Sequence, residues 1–180
     1  MVFPGREENY FQVGARALEL VRLAQKICSR ESLPRILDLP CGHGRVMRFS
    51  AEGVYSKPDL GSVELQSDFD LVWCGSLLTH LPLDQQKAVL HRLIDWTIED
   101  GIIIVSLQGR FMASQLERGD ADFADNVDTV GLLRDFRARG GAYRPYYEDP
   151  DGAYGLSLNT PEYVGKLLQE RSDIIIRAYL

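Results

Sequence analysis

Ile36-Leu37-Asp38-Leu39-Pro40-Cys41-Gly42-His43-Gly44-Arg45 is the stretch whose reading decides the fold. A short apolar run of buried-strand type stops at Pro40 and turns on two glycines. It then enters Arg45–Phe49, which has room for only a short helix. A strand that turns on glycines into a helix start bares backbone N–H groups at the positive end of a helix dipole. In an open α/β sheet that point, at the carboxyl end of the first strand, is where ligands bind. A tight turn that holds nothing carries the same glycines, so the turn alone leaves both readings open.

The neighbouring side chains narrow the choice of ligand. A dinucleotide fingerprint needs a third small residue after G-x-G so that helix and strand can approach closely. Met47 stands there and is too bulky, which weighs against a nicotinamide-linked oxidoreductase. Asp38, four residues before Gly42, would repel a pyrophosphate and suits a ligand with a cationic amine.

The flanking sequence alternates helices with strands. Ala17, Leu20, Val21, Ala24, Ile27 and Cys28 recur at helical spacing and predict an amphipathic helix over Val13–Arg30, broken by Pro34. Gly53–Ser56 is β-prone, and Phe69–Cys74 reads as the next strand. Asp84 is the expected N-cap of a helix reaching Thr97, with Val89, Leu90, Leu93, Ile94 and Thr97 on one face. Asp100-Gly101 is a turn feeding a strand over Ile102–Leu107. Residues 128–139 form a helix with Leu132, Leu133 and Phe136 inward, ended by Gly140-Gly141. Tyr154–Leu158 is a strand, Thr160-Pro161 opens a helix to Glu170, and Asp173–Leu180 is expected to close the chain as a strand. The pattern predicts an α/β fold with a mostly parallel sheet and helices on both faces.

At 180 residues the expectation is one domain. Its parts are an N-terminal helical segment (1–33), a ligand-binding core (34–107), an insertion or lid (108–153) and a C-terminal strand-helix-strand (154–180). Asp and Glu number 26 against 20 Lys and Arg, a net charge of −6, which argues against nucleic acid or an anionic membrane surface as partner. Apolar runs reach only about four residues, far short of a membrane span. No basic segment followed by an apolar one opens the chain, so a cytoplasmic protein is expected. Cys28, Cys41 and Cys74 are too few and too far apart for a disulfide framework or a zinc cluster, and no metal site is expected.

Asp38-Leu39-Pro40-Cys41-Gly42-His43-Gly44 resembles the first motif of class I S-adenosylmethionine-dependent methyltransferases, with Pro40 at the usual first-glycine position. Phe69–Cys74 with Ser76-Leu77-Leu78-Thr79-His80-Leu81 is similar to that family's fourth strand and following loop. Asp100–Val105 is similar to its fifth strand, and Gly155–Pro161 to a stretch in a bacterial subgroup. The resemblance implies a Rossmann-like methyltransferase fold that binds S-adenosyl-L-methionine and transfers its methyl group to a small-molecule acceptor. A non-catalytic, methyltransferase-like binding or interaction module is the alternative. Only 24 residues separate Gly44 from Phe69, roughly half of what the family places there. The second strand, with its ribose-gripping acid, and the final strand are therefore expected to be missing from a reduced sheet.

On that resemblance the cofactor-binding candidates are Asp38, Leu39, Pro40, Cys41, Gly42, Gly44, Tyr55, Ser56, Cys74, Gly75 and Ser76. His80 is the candidate for a catalytic base, needed only if the acceptor must lose a proton. His80, Gln108, Arg110, Tyr146 and Tyr147 are the candidates for contacting the acceptor. Packing, helix capping or surface exposure is the competing role for each. His43 and His91 are read as surface, and Gly140–Tyr154, rich in tyrosine, as a lid or a surface loop.

Overall fold

A computed structural model describes residues 7–39, 65, 67–121, 124–149 and 151–180. It is an α/β protein with a three-stranded parallel sheet. Pro40, Cys41, Gly42, His43, Gly44, Tyr55 and Ser56, like the rest of the expected short helix Arg45–Phe49 and of the β-prone Gly53–Ser56, lie outside the described residues. The chain divides into two compact units, Met1–Gly75 with Asp95–Ile104, and Ser76–Ile94 with Val105–Leu180.

The first unit opens with helix α1, Glu7–Ile27. It ends because Ser29 adopts a left-handed conformation (φ 54°) and the Arg30 N–H closes onto Gln25 O at 2.9 Å, so the stop comes several residues before Pro34. Ala17 is buried, whereas Ile27 from the expected apolar stripe is exposed. Strand β1 is Ile36–Asp38 and strand β2 is Phe69–Cys74. They run parallel, Ile36 opposite Leu71 and Asp38 opposite Trp73, and strand β3, Thr97–Val105, lies on the other side of β2. Leu71, Val72 and Cys74 are almost wholly buried, the near-continuous apolar burial of a central parallel strand. Asp70 is the polar exception: it accepts from Arg30 Nη2 at 2.6 Å and from the Arg35 N–H at 3.1 Å.

The second unit holds helices α2 (Leu83–Asp95, all but its last residue), α3 (Arg110–Arg118), α4 (Thr129–Arg139) and α5 (Pro161–Leu168). A single 3-10 turn, Leu78–His80, precedes α2. Strands β4 (Gly141–Pro145) and β5 (Gly155–Asn159) pair antiparallel, Gly141 opposite Asn159 and Pro145 opposite Gly155. Leu156 and Leu158 pack with Leu132, Leu133, Phe136, Ala113 and Leu116 into the unit's core. Alternation along β5 turns Gly155, Ser157 and Asn159 to the opposite face. Asp128 caps α4 by accepting from the Gly131 N–H at 2.9 Å, and Gly140 ends that helix at φ 76°, where a side chain would be strained. Thr160 caps α5 by accepting from the Tyr163 N–H, with Pro161 at the first helical position.

Four expectations are corrected. The helix expected over Asp84–Thr97 starts at Leu83, so Asp84 sits in its first turn rather than capping it. It stops at Asp95 because the Trp96 carbonyl already accepts from the Phe69 N–H at 3.1 Å, and Thr97 belongs to the sheet. Gly140–Tyr154, read as a lid or loop, contributes strand β4, with Gly141 and Ala142 buried. Asp100-Gly101, expected as a turn before a strand over Ile102–Leu107, lies instead within β3, which ends at Val105. The expected strand Asp173–Leu180 has no regular structure: residues 174–180 join no ladder among the described residues, and Ile175 and Leu180 are 70% and 88% exposed.

Candidate functional site

In the first unit the parallel pairing brings the carboxyl ends of β1 and β2 to one edge. The Leu39 N–H donates to Trp73 O at 2.8 Å, setting Asp38 and Leu39 beside the end of β2. Asp38 is 8% exposed and Leu39 7%, so the sheet edge carries a buried carboxylate. Cys74 is fully buried, and no disulfide engages it or Cys28. Gly75 lets the Trp73 indole lie close, since a Cβ there would sit 2.9 Å from Nε1. A buried carboxylate at the carboxyl edge of a parallel sheet matches a cationic amine and opposes an anion.

In the second unit Ser76 holds a left-handed backbone (φ 65°), an uncommon conformation for a residue with a side chain. Its N–H donates to Ser106 Oγ at 2.6 Å and its carbonyl accepts from Thr79 Oγ1 at 2.9 Å. Gln86, with no exposed surface, donates from Nε2 to the carbonyls of Leu78 and Leu81, each at 3.0 Å. Ser157 Oγ donates to Leu81 O as well, at 2.5 Å. The 3-10 turn that carries His80 is therefore fastened from both α2 and β5.

His80 Nδ1 lies 2.9 Å from Gly155 O and 3.3 Å from the Tyr146 hydroxyl. A carbonyl oxygen only accepts, so in the neutral ring the proton is on Nδ1 and Nε2 keeps its lone pair. The imidazole stacks on Tyr154 at 4.7 Å between centroids, and Tyr146 lies 5.5 Å from Tyr154. Burial, followed by the neighbouring Tyr154, raises the Tyr146 pKa and keeps that hydroxyl protonated. His91 differs from the surface reading: half-buried, it lies 3.2 Å from Leu167 O through Nε2 and takes the opposite tautomer.

Gln108 and Asn159 come together through the Asn159 N–H, which donates to Gln108 O at 2.7 Å. Among the described residues both side-chain polar atoms of Asn159 and the Oε1 of Gln108 are buried without a partner, and Asn159 is only 4% exposed. Buried amides are seldom left so. Sequence reading named Gln108 but missed Asn159 and Gln86. Asn159 sits just before the Thr160-Pro161 helix signal, at the end of a strand whose alternate residues are leucines, and that was the available clue.

The remaining candidates are placed elsewhere. Arg110 reaches Glu162 at 3.4 Å, both well exposed, so it is committed to a surface ion pair. Tyr147 is 69% exposed, its N–H bound to Asn126 O. Among the described residues no three His, Cys, Asp or Glu side chains converge as metal ligands, and no helix is long and apolar enough to cross a membrane. No family model, curated protein or solved structure matches this chain.

Proposed function

We propose that the chain is an S-adenosyl-L-methionine-dependent methyltransferase of Rossmann-like build, cytoplasmic, with helices on both sheet faces, a reduced number of strands and a small-molecule acceptor. The observation that carries the reading is Asp38, buried at the carboxyl end of β1 beside the end of parallel β2. That is the position and charge an ammonium-bearing ligand requires. Bound there, the cofactor would supply an electrophilic methyl group on a sulfonium.

Asp38 would hold the amino group, with Leu39, Cys74 and Gly75 shaping the edge around it, and Ser76 is a cofactor contact by resemblance alone. Pro40, Cys41, Gly42, Gly44, Tyr55 and Ser56 complete the proposed cofactor contacts by resemblance. On the acceptor side, His80 and Tyr146 offer a proton-accepting nitrogen and a hydroxyl, and Gln108 with Asn159 offers amide donors and acceptors. Arg110 and Tyr147 are left out of that set because one is paired on the surface and the other stands exposed.

Titration calorimetry with S-adenosylmethionine and S-adenosylhomocysteine tests the reading. Binding near micromolar that Asp38→Ala abolishes supports it, provided the variant keeps the wild-type circular dichroism. No heat at millimolar ligand refutes it and favours a non-catalytic binding module.

A further inference from the structure

Residues 174–180 are strand-forming sequence without a strand to join. Ile174, Ile175, Ile176 and Tyr179 are β-branched or aromatic, side chains that suit a pleated, half-covered surface. Their peptide groups enter no ladder among the described residues, and Ile175, Ile176 and Tyr179 are exposed. The stretch is tied to the second unit near both ends. Arg171 Nη1 donates to His91 O on α2 at 3.4 Å, and the Tyr179 hydroxyl donates to Pro161 O at the start of α5, also at 3.4 Å. A segment held in this way gives up less freedom on pairing than a loose tail does. Two opposite charges bracket the isoleucines. Asp173 accepts from Arg171 Nε at 2.8 Å and Nη2 at 2.6 Å, and those bonds hold its pKa down at about 2, so it stands as a carboxylate. Its side chain is still more than half exposed. Arg177 is exposed and pairs with no carboxylate among the described residues.

We infer that residues 173–179 are an interface for a second copy of this chain, the two segments pairing antiparallel about a two-fold axis at Ile175. In that register Ile175 faces the partner's Ile175, Ile174 faces the partner's Ile176, and Asp173 faces the partner's Arg177, the last two pairs each occurring twice by symmetry. Strand alternation puts Asp173, Ile175 and Arg177 on one face and Ile174 and Ile176 on the other. One face then carries an isoleucine pair flanked by two opposite-charge pairs, and the other carries two isoleucine pairs. Other registers lose this match. Centring on Arg177 sets arginine against arginine, and centring on Ile176 sets all four charges against apolar or aromatic side chains. A parallel, in-register pairing opposes like charges at both 173 and 177. Charge therefore selects the register that the isoleucines alone leave open. Two strands this short are marginally stable in water, so the dimer is weak and fills as concentration rises. The inference is independent of the methyl-transfer reading, since none of the proposed cofactor or acceptor contacts takes part.

Sedimentation equilibrium of the full chain, from micromolar to millimolar concentration, tests the proposal. Wild type is expected to pass from monomer to dimer. Asp173→Arg and Arg177→Asp each set like charges opposite one another at both ends of the pairing, and should raise the dimer dissociation constant about tenfold. Mixed in equal amounts, the two variants should associate again, because a doubly cationic segment then meets a doubly anionic one in the same register. A folding defect in either variant gives no such rescue. A wild type that stays monomeric at millimolar concentration overturns the proposal. So do single variants that associate as well as wild type, or a mixture no tighter than its components. Amide hydrogen exchange at residues 174–180 separates a partner copy from a ladder within one chain. Protection is expected to grow with protein concentration, and full protection in dilute monomer overturns the proposal.

Discussion

Replacing Gln86 by Glu swaps one amide nitrogen for an oxygen and leaves shape and volume almost unchanged. Gln86 is fully buried, and its Nε2 supplies two hydrogen bonds, to Leu78 O and Leu81 O. A protonated Glu keeps one O–H and can serve one of those carbonyls, so at pH 4 the variant should lose about 0.5–1.5 kcal/mol, one net hydrogen bond. An ionised Glu would point a charge at two carbonyl oxygens in a dry site, which raises its folded-state pKa above the ordinary value of about 4.3. Above that pH the folded state binds more protons than the unfolded one, so stability falls as pH rises, by about 1.4 kcal/mol per pH unit until the folded pKa is reached. With a folded pKa at or above 7, the added loss between about pH 4.3 and 7 comes to about 3–4 kcal/mol. Urea unfolding of wild type and Gln86→Glu, followed by far-ultraviolet circular dichroism from pH 4 to 8, measures the difference directly. A difference that stays flat across that range would refute the reasoning, because it would mean that water or a cation reaches the residue.

Three other outcomes follow from the same geometry. Arg30→Ala removes the 2.6 Å charge-assisted bond to buried Asp70 and should cost about 1.5–3 kcal/mol. Tryptophan fluorescence reads this loss selectively, because Trp73 and Trp96, the chain's two tryptophans, both belong to the first unit. Thr160→Ala deletes the N-cap of α5 and should destabilise by about 1 kcal/mol in urea titrations, with Thr160→Ser close to wild type. Hydrogen bonds from Arg144 and then Arg134 hold the Asp135 pKa down at about 2, below its usual 3.8. The stability this gives is present above pH 3.8 and lost as pH falls toward 2, so the acid arm of a near-ultraviolet circular dichroism titration should fall in that interval. In Arg144→Ala the same arm should move up toward the ordinary carboxylate range.

Much of the architecture was legible because local chemistry and tertiary need agreed. Phe69–Cys74 is apolar nearly throughout and became a covered central strand, and Asp128, Gly140 and Thr160-Pro161 ended or began helices where their backbone preferences put them. Reading failed where a partner decided the outcome. Gly141–Pro145 has no strand-like pattern of its own, and becomes a strand because β5 supplies its ladder. Ile174–Leu180 has every local mark of a strand and finds no ladder among the described residues. For the site, His80 and Gln108 could be named as residue types following strands, but which nitrogen of His80 carries the proton depends on a carbonyl 75 residues away. Asn159 was hidden for a similar reason: an asparagine before a helix cap reads as capping chemistry until its amide is found enclosed.

The uncovered run at 174–180 has a practical side. Three consecutive isoleucines followed by a single arginine combine β-branched side chains, outward-facing carbon surface and peptide groups that join no ladder among the described residues, the combination that lets one molecule's backbone template another's. Arg177 is the lone gatekeeper in that stretch, and replacing Ile175 or Ile176 with lysine should keep concentrated preparations dispersed.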